Sequence, residues 1–212
     1  LCHRKFVVVG WQRQQTKILP LRQILKIKGA KSALAVFFFY CSLEGGAGLW
    51  SGTYLVSYRG LEADVAASWV SMYFFGITVG RFLSGFLAIK ISNANMVRIG
   101  LCICGLGILL LLLPLPALFA LAGLALLGLG CAPIFPAMIH ETPARFGKEL
   151  SQSMIGLQMA SAYMGAAVVP PIIGALSGII GFEYLPVYFA ALALIMALLS
   201  NNLRRIDRKS VV

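Results

Sequence analysis

"GLCICGLGILLLLLPLPALFALAGLALLGLG" (residues 100–130) contains no charged residue, and its two apolar runs are separated only by Pro114, Leu115 and Pro116. Proline lacks a backbone N–H and disrupts a helix interior, so the segment is predicted to form two helices joined by a tight hairpin. A helix crosses a bilayer core with about 20 apolar residues. Residues 100–130 therefore predict a pair of membrane-spanning helices.

The rest of the chain has the same character. Of its 212 residues 59% are hydrophobic and 12% are charged, whereas a soluble domain has about 25% charged residues. Runs this long, without alternation of polar and apolar residues, favour helices over a membrane barrel. We therefore expect an all-α membrane protein, in which residues 32–204 form a bundle between a basic leader and a basic tail (1–31 and 205–212). The predicted spans are 33–56, 66–88, 96–113, 117–139, 152–174 and 184–203.

The basic residues orient the predicted spans. Of the 18 Lys and Arg residues, 16 lie before the first span, in alternate loops or after the last span. Arg59 lies on the opposite side and Arg81 lies inside the second span. Because Lys and Arg are enriched on the cytoplasmic side, we expect both ends of the chain in the cytoplasm of a multi-pass plasma-membrane protein. Residues 18–33 form either a basic amphipathic helix on the membrane surface or an unstructured linker.

Several classes of function are excluded. The net charge of +11 would suit nucleic acid, but no basic groove or recognition motif is present. Five cysteines without paired spacing do not indicate a disulfide framework, and Cys102 and Cys104 point to different faces of a helix, so they cannot easily share a metal. The sequence has no HExxH or GxSxG motif and no paired carboxylates within its spans. We expect no metal site, no cofactor, no nucleic-acid partner and no enzyme activity.

The first span carries an acid, Glu44. At about 100° per residue, Tyr40, Glu44, Ser51 and Tyr54 fall within about 80° of one another. A neighbouring stripe consists of small residues, which allow helices in membranes to approach closely: Cys41, Gly45, Gly48 and Gly52. We expect the small stripe to pack against another helix and the polar stripe to face a hydrated cavity.

A charged carboxylate at the bilayer centre costs about 2.5–3.5 kcal/mol on insertion scales, so Glu44 needs a partner, a proton or water. It is predicted to couple proton movement to transport; the alternative is a protonated side chain that bonds to a neighbouring helix. Further cavity candidates are Trp50 beside the polar stripe, Tyr73 on the second span, and Gln158 and Ser161 on the fifth. Tyr73 could instead belong to an interfacial aromatic belt, and Gln158 could form an interhelical hydrogen bond.

"GITVGRFLSGFLAIK" (residues 76–90) ends the second span. Its Gly76, Arg81, Gly85 and Lys90 resemble a loop signature of major facilitator superfamily transporters, although Gly80 stands where that signature has an acid. "GCAPIFPAMIHE" (130–141) and "GAAVVPPIIG" (165–174) look like the fucose-permease-like branch of sugar:proton symporters.

This resemblance implies that the six spans are the second half of a twelve-helix transporter, built from two inverted three-helix repeats. The leader would link it to a missing first half. The implied activity is proton-coupled alternating-access transport of a small polar, sugar-like solute, with a drug or metabolite exporter as the alternative. Arg81 would be a cytoplasmic gate residue that could pair with Glu149 or Asp207 when the cytoplasmic side is closed.

Overall fold

The structure is a computed structural model that describes residues 21–210, with side chains for residues 22–207. Every regular element in this range is a helix, and their bounds are α1 (Leu21–Ile24), α2 (Ala30–Ser57), α3 (Ala63–Leu87), α4 (Asn93–Leu112), α5 (Ala117–Cys131), α6 (Ile134–Phe146), α7 (Lys148–Ile180), a 3₁₀ turn (Phe182–Tyr184) and α8 (Leu185–Ser210). The leader cations Arg4, Lys5, Arg13 and Lys17 lie outside the described residues. The described part of the leader has only the single turn α1 before Gly29, whose positive φ of 88° leads into α2.

Six segments are long and apolar enough to cross a membrane, among the residues that the structure describes. Four are single long helices, one consists of α5 and α6 together, and the last combines the 3₁₀ turn with most of α8. The helix is interrupted between α5 and α6 at Ala132 and Pro133, because proline has no N–H to donate to the preceding turn. The predicted span 117–139 ends too early, because α6 continues to Phe146. Pro170 and Pro171 lie inside α7 without ending it.

Small residues set the helix contacts. A Cβ atom at Gly165 of α7 would collide with the backbone oxygen of Phe38 in α2, and one at Gly128 of α5 would collide with that of Tyr73 in α3. Between α4 and α5, a Cβ at Gly107 would lie 2.6 Å from the oxygen of Gly123. Backbones without Cβ atoms can therefore approach closely, which is how helices gain packing energy where lipid surrounds them.

All three contacts cross between the two predicted three-helix repeats, because they join α2, α3 and α4 of the first to α5 and α7 of the second. The predicted all-α, six-span fold is confirmed. Most of the described cations lie at or near helix ends on one side of the bundle, which we call the basic end. It carries Lys28, Lys31, Lys90, Arg98, Arg145, Lys148, Arg204 and Arg205.

Candidate functional site

A groove of about 680 Å³ opens between α2, α3 and α7. Helix α2 contributes Cys41, Glu44, Gly45, Gly48 and Leu49 to its wall. The remaining lining residues are Phe74, Ile77, Thr78 and Arg81 of α3, Phe135 of α6, and Met159, Ala162, Tyr163 and Ala166 of α7. The groove is therefore mostly apolar, with its charge concentrated at one place.

That charge is an ion pair between Glu44 and Arg81. The Nη2 atom of Arg81 lies 3.2 Å from Oε1 of Glu44, and their side chains are 59% and 23% exposed. No other acidic residue of the sequence lies deep within an apolar run. The pair satisfies the carboxylate while leaving it open to the groove, so a proton or a polar solute can reach it.

The local structure explains why these two side chains meet. The hydroxyl of Tyr73 donates to the backbone oxygen of Glu44 at 3.0 Å, which ties α3 to α2 at the residue that carries the carboxylate. Gly48 leaves room for the ring of Phe74, since a Cβ there would lie 3.1 Å from that ring. With α3 held in this rotation, Arg81 projects into the groove beside Glu44.

The polar stripe predicted on α2 does not line the groove apart from Glu44. Tyr40 is fully buried and donates to the backbone oxygen of Cys131 at 3.1 Å. Tyr54 donates to that of Leu111 at 2.7 Å, and Ser51 is buried inside the bundle. Cys41, Gly45 and Gly48 of the predicted small stripe line the groove, and Gly45 and Gly48 also lie against α7 and α3, in agreement with the predicted helix packing. The prediction that the whole polar stripe faces a cavity was wrong.

The other candidates also bond within the bundle. Gln158 is buried and accepts from the hydroxyl of Thr142 at 3.0 Å, and Tyr73 is buried as described above. Ser161 donates to the backbone oxygen of Leu34 at 2.8 Å. Trp50 donates to that of Pro170 at 2.8 Å. None of these four side chains lines the groove, in the part of the chain that the structure describes.

The residues of the loop signature lie in different surroundings. A Cβ at Gly76 would collide with the backbone of α5, so this residue serves packing. A Cβ at Gly80 would lie 2.5 Å from that of Ala132, so an acid cannot fit where the signature has one. Gly85 has open space around it, and Lys90 is exposed just beyond α3.

Arg81 does not have the predicted gate partners. Asp207 instead accepts from Arg145 at 2.7 Å, and Arg145 also bonds to Glu141 at 2.7 Å. Besides the groove, Arg81 borders a second cavity of about 410 Å³, which His140 also lines. Arg81 therefore lies between two cavities rather than at an ion-pair lock with α7 or α8.

Sequence reasoning missed several lining residues. Thr78 and Phe74 precede Arg81 by three and seven residues, so helical periodicity could have placed them on its face. Tyr163 is 73% exposed and is the only aromatic residue of the predicted span 152–174. At about 100° per residue, it lies on the side of the helix roughly opposite Gln158 and Ser161.

No group of three or more His, Cys, Asp or Glu side chains that could hold a metal occurs among residues 22–207. Among the described residues that line the groove, Glu44 is the one carboxylate.

The chain was compared with known proteins. A family model described as Major Facilitator Superfamily matches residues 32–210. Similar folds include the E. coli fucose:proton symporter FucP, with a TM-score of 0.70 and 18% identity over 88% of this chain and 44% of that one. They also include the peptide transporter POT in complex with alafosfalin, with a TM-score of 0.74 and 18% identity over 86% of this chain and 39% of that one. This chain thus spans less than half the length of both transporters. None of the curated proteins matches it by sequence.

Proposed function

This chain belongs to the Major Facilitator Superfamily, and we propose that the protein is a secondary active transporter, not an enzyme, that carries a small polar solute. Its transport pathway would include the groove between α2, α3 and α7. Because the similar transporters are more than twice as long as the matched region, we propose that a second six-helix half completes this pathway. The two halves would rock about the groove to open it alternately to each side of the membrane.

The ion pair between Glu44 and Arg81 is the observation that carries the proposal of proton coupling. An acid deep in a membrane is expensive and is usually functional. Protonation of Glu44 would remove its charge, so the 3.2 Å contact would lose its Coulombic attraction. Arg81 would then be free to change partner or to contact solute. A proton would thereby change the structure of the groove wall.

The groove also supports a sugar-like solute. The Glu44 carboxylate accepts hydrogen bonds and the Arg81 guanidinium donates them, which suits a ligand with several hydroxyls. Exposed rings of Phe74 and Tyr163, at 53% and 73%, offer faces for the C–H surface of a sugar ring. We propose a polyhydroxylated solute for this reason.

A drug or metabolite exporter of the same superfamily is the second candidate. The apolar share of the groove wall, which includes Leu49, Phe135 and Met159, supports it. An exporter of this kind would accept amphipathic dyes, whereas the first candidate would not.

The deciding experiment measures accumulation by the complete gene product in proteoliposomes with an imposed proton gradient. A panel of sugars would be tested for uptake and a panel of dyes for efflux. Glu44→Gln is expected to abolish uphill accumulation while leaving solute counterflow. Unchanged uphill uptake in this variant would rule out Glu44 as the coupling group. A sodium gradient, imposed in a parallel sample, tests whether sodium replaces the proton.

The excess of cations at the basic end supports a cytoplasmic location for both ends of this chain. We propose that the protein resides in the plasma membrane in this orientation. Labelling of single cysteines introduced at Lys90 and at Glu62 with an impermeant reagent tests the orientation. Only the second should react from outside intact cells.

A further inference from the structure

A polar pocket of about 400 Å³ lies between α4 and α8 at the basic end. It shares no lining residue with the groove. Its lining residues are Arg98, Leu198, Asn201, Asn202, Arg204 and Arg205. Three guanidinium groups and two amides therefore surround one space. The transport role proposed above uses none of these residues.

The positive charge of this pocket is not neutralised by its own wall. No carboxylate is among the described residues that line it. The nearby acids Glu141 and Asp207 both bond to Arg145, at 2.7 Å each. An anion that enters the pocket would thus meet three cations without competition from an acid in the wall.

Arg204 in particular has unused bonding capacity. Its Nη2 atom makes a long contact of 3.4 Å with Oδ1 of Asn95. Its Nη1 atom is buried and has no hydrogen-bond partner among the groups that the structure describes. Buried donors are nearly always paired in native proteins, so an acceptor beyond the described groups would complete the bonding of Arg204.

The surface beside the pocket is apolar. On α8, Leu198 at the rim and Leu194 one turn further into the bundle are 62% and 61% exposed. On α4, Gly105 and Leu109 follow Arg98 on the same helical face; Gly105 has nothing within 4 Å of its Cβ position, and Leu109 is 48% exposed. The two helices thus flank a furrow that begins at the cations and continues along lipid-facing side chains.

We propose that this pocket binds the phosphate of an anionic phospholipid, whose acyl chains lie along the furrow between α4 and α8. Arginine suits phosphate because its planar guanidinium can donate two parallel hydrogen bonds. Asn201 and Asn202 add amide donors for the headgroup. The apolar furrow favours a lipid over a free phosphate compound, which would gain nothing from it. Basic pockets between membrane helices are suited to such headgroups.

The test is native mass spectrometry of the complete gene product in detergent, titrated with phosphatidylglycerol or with phosphatidylcholine of the same acyl chains. We expect one saturable phosphatidylglycerol per molecule and no comparable phosphatidylcholine site. Arg98→Gln/Arg205→Gln should weaken this binding at least about tenfold. Lys28→Gln/Lys148→Gln removes the same charge from exposed positions outside the pocket and should change it less than about twofold.

Further arms separate the alternatives. Leu198→Glu keeps every arginine but places a carboxylate at the apolar rim, and it should also weaken phosphatidylglycerol binding. Glycerol 3-phosphate has the phosphate without acyl chains and should compete poorly. Equal weakening by both double variants, equal binding of both lipids, or strong competition by glycerol 3-phosphate would overturn the proposal. Gel filtration confirms that each variant is folded, and no arm depends on transport.

Discussion

Glu44 and Arg81 lie 37 residues apart in the sequence, yet their charged groups are within 3.2 Å of each other on the wall of the groove. The contact joins the middle of α2 to the last third of α3. Because Arg81 is 59% exposed, this pair adds little to stability; exposed ion pairs contribute about 0–1 kcal/mol. We propose that the pair matters for transport, because protonation of Glu44 would remove the attraction between the two side chains.

If the two side chains act as one unit, their substitutions should not be additive. We expect Glu44→Gln and Arg81→Gln each to reduce uphill uptake by at least about tenfold. The double variant should be no worse than Glu44→Gln alone, because removing either member already breaks the pair. Initial rates of gradient-driven uptake in proteoliposomes measure the three variants against the unchanged protein.

Ser71→Ala is a control on α3, since its hydroxyl donates to the backbone oxygen of Ser68 and the residue does not line the groove. It should retain uptake within about threefold. Multiplicative losses in the Glu44 and Arg81 double variant would show that the two residues act independently.

Periodicity correctly grouped residues of α2 but could not identify what each group faces. Tyr40 and Tyr54 share a stripe with Glu44, and polar hydroxyls suggested water. In the fold, however, each hydroxyl reaches a backbone carbonyl on a neighbouring helix, Cys131 and Leu111 respectively. Which helix lies opposite a stripe depends on tertiary packing, and a single sequence does not encode that in its spacing.

Gln158 provides a direct test of that distinction. Because it is buried and bonded to Thr142, Gln158→Met should lower stability by about 1 kcal/mol, the usual net value of a hydrogen bond. The apparent KM for solute should stay within about twofold. Thermal unfolding in detergent and concentration-dependent uptake measure the two quantities. Thr142→Val should behave in the same way, whereas a large rise in KM for Gln158→Met alone would return this residue to the solute site.

Close helix packing predicts a sharp difference between two glycines. A Cβ at Gly128 of α5 would collide with the backbone oxygen of Tyr73, whereas one at Gly156 of α7 would meet nothing within 4 Å. Gly128→Ala should destabilise the bundle by about 1–3 kcal/mol through overpacking. Gly156→Ala should be neutral or stabilising by up to about 1 kcal/mol, since alanine favours the helix. Midpoints of thermal unfolding in one detergent compare the two variants. Equal midpoints would contradict the close contact between α3 and α5.

The six spans were predictable because apolar length alone specifies them. The break at Pro133 was not predicted, because the run from Ala117 to Ile139 contains no charged residue that would separate two spans. The partner of Arg81 was not predicted either. The helix rotation set by Gly76, Gly128 and Tyr73 directs Arg81 to Glu44, and this rotation depends on contacts between helices.

At the end of the bundle opposite the basic end, Arg59 joins two loops. Its Nη2 atom donates to the backbone oxygens of Leu111 and Leu113, both at 2.9 Å, and its Nη1 atom donates to that of Leu115 at 2.8 Å. Carbonyls at a helix C-terminus lack partners within the helix and attract cations. Arg59 thus satisfies the end of α4 and the Pro114–Pro116 hairpin together.

Arg59→Gln should therefore destabilise the protein by about 2 kcal/mol, since hydrogen bonds from charged groups contribute about 1.5–3 kcal/mol. Arg59→Lys keeps the charge but cannot present donors in a planar fork, so it should recover less than half of the loss. Glu62→Gln changes charge in the same loop and should leave stability unchanged. Thermal unfolding of each variant and of the unchanged protein, in the same detergent, measures the effect. Full recovery by lysine would mean that charge alone, rather than the geometry of the guanidinium, holds the hairpin.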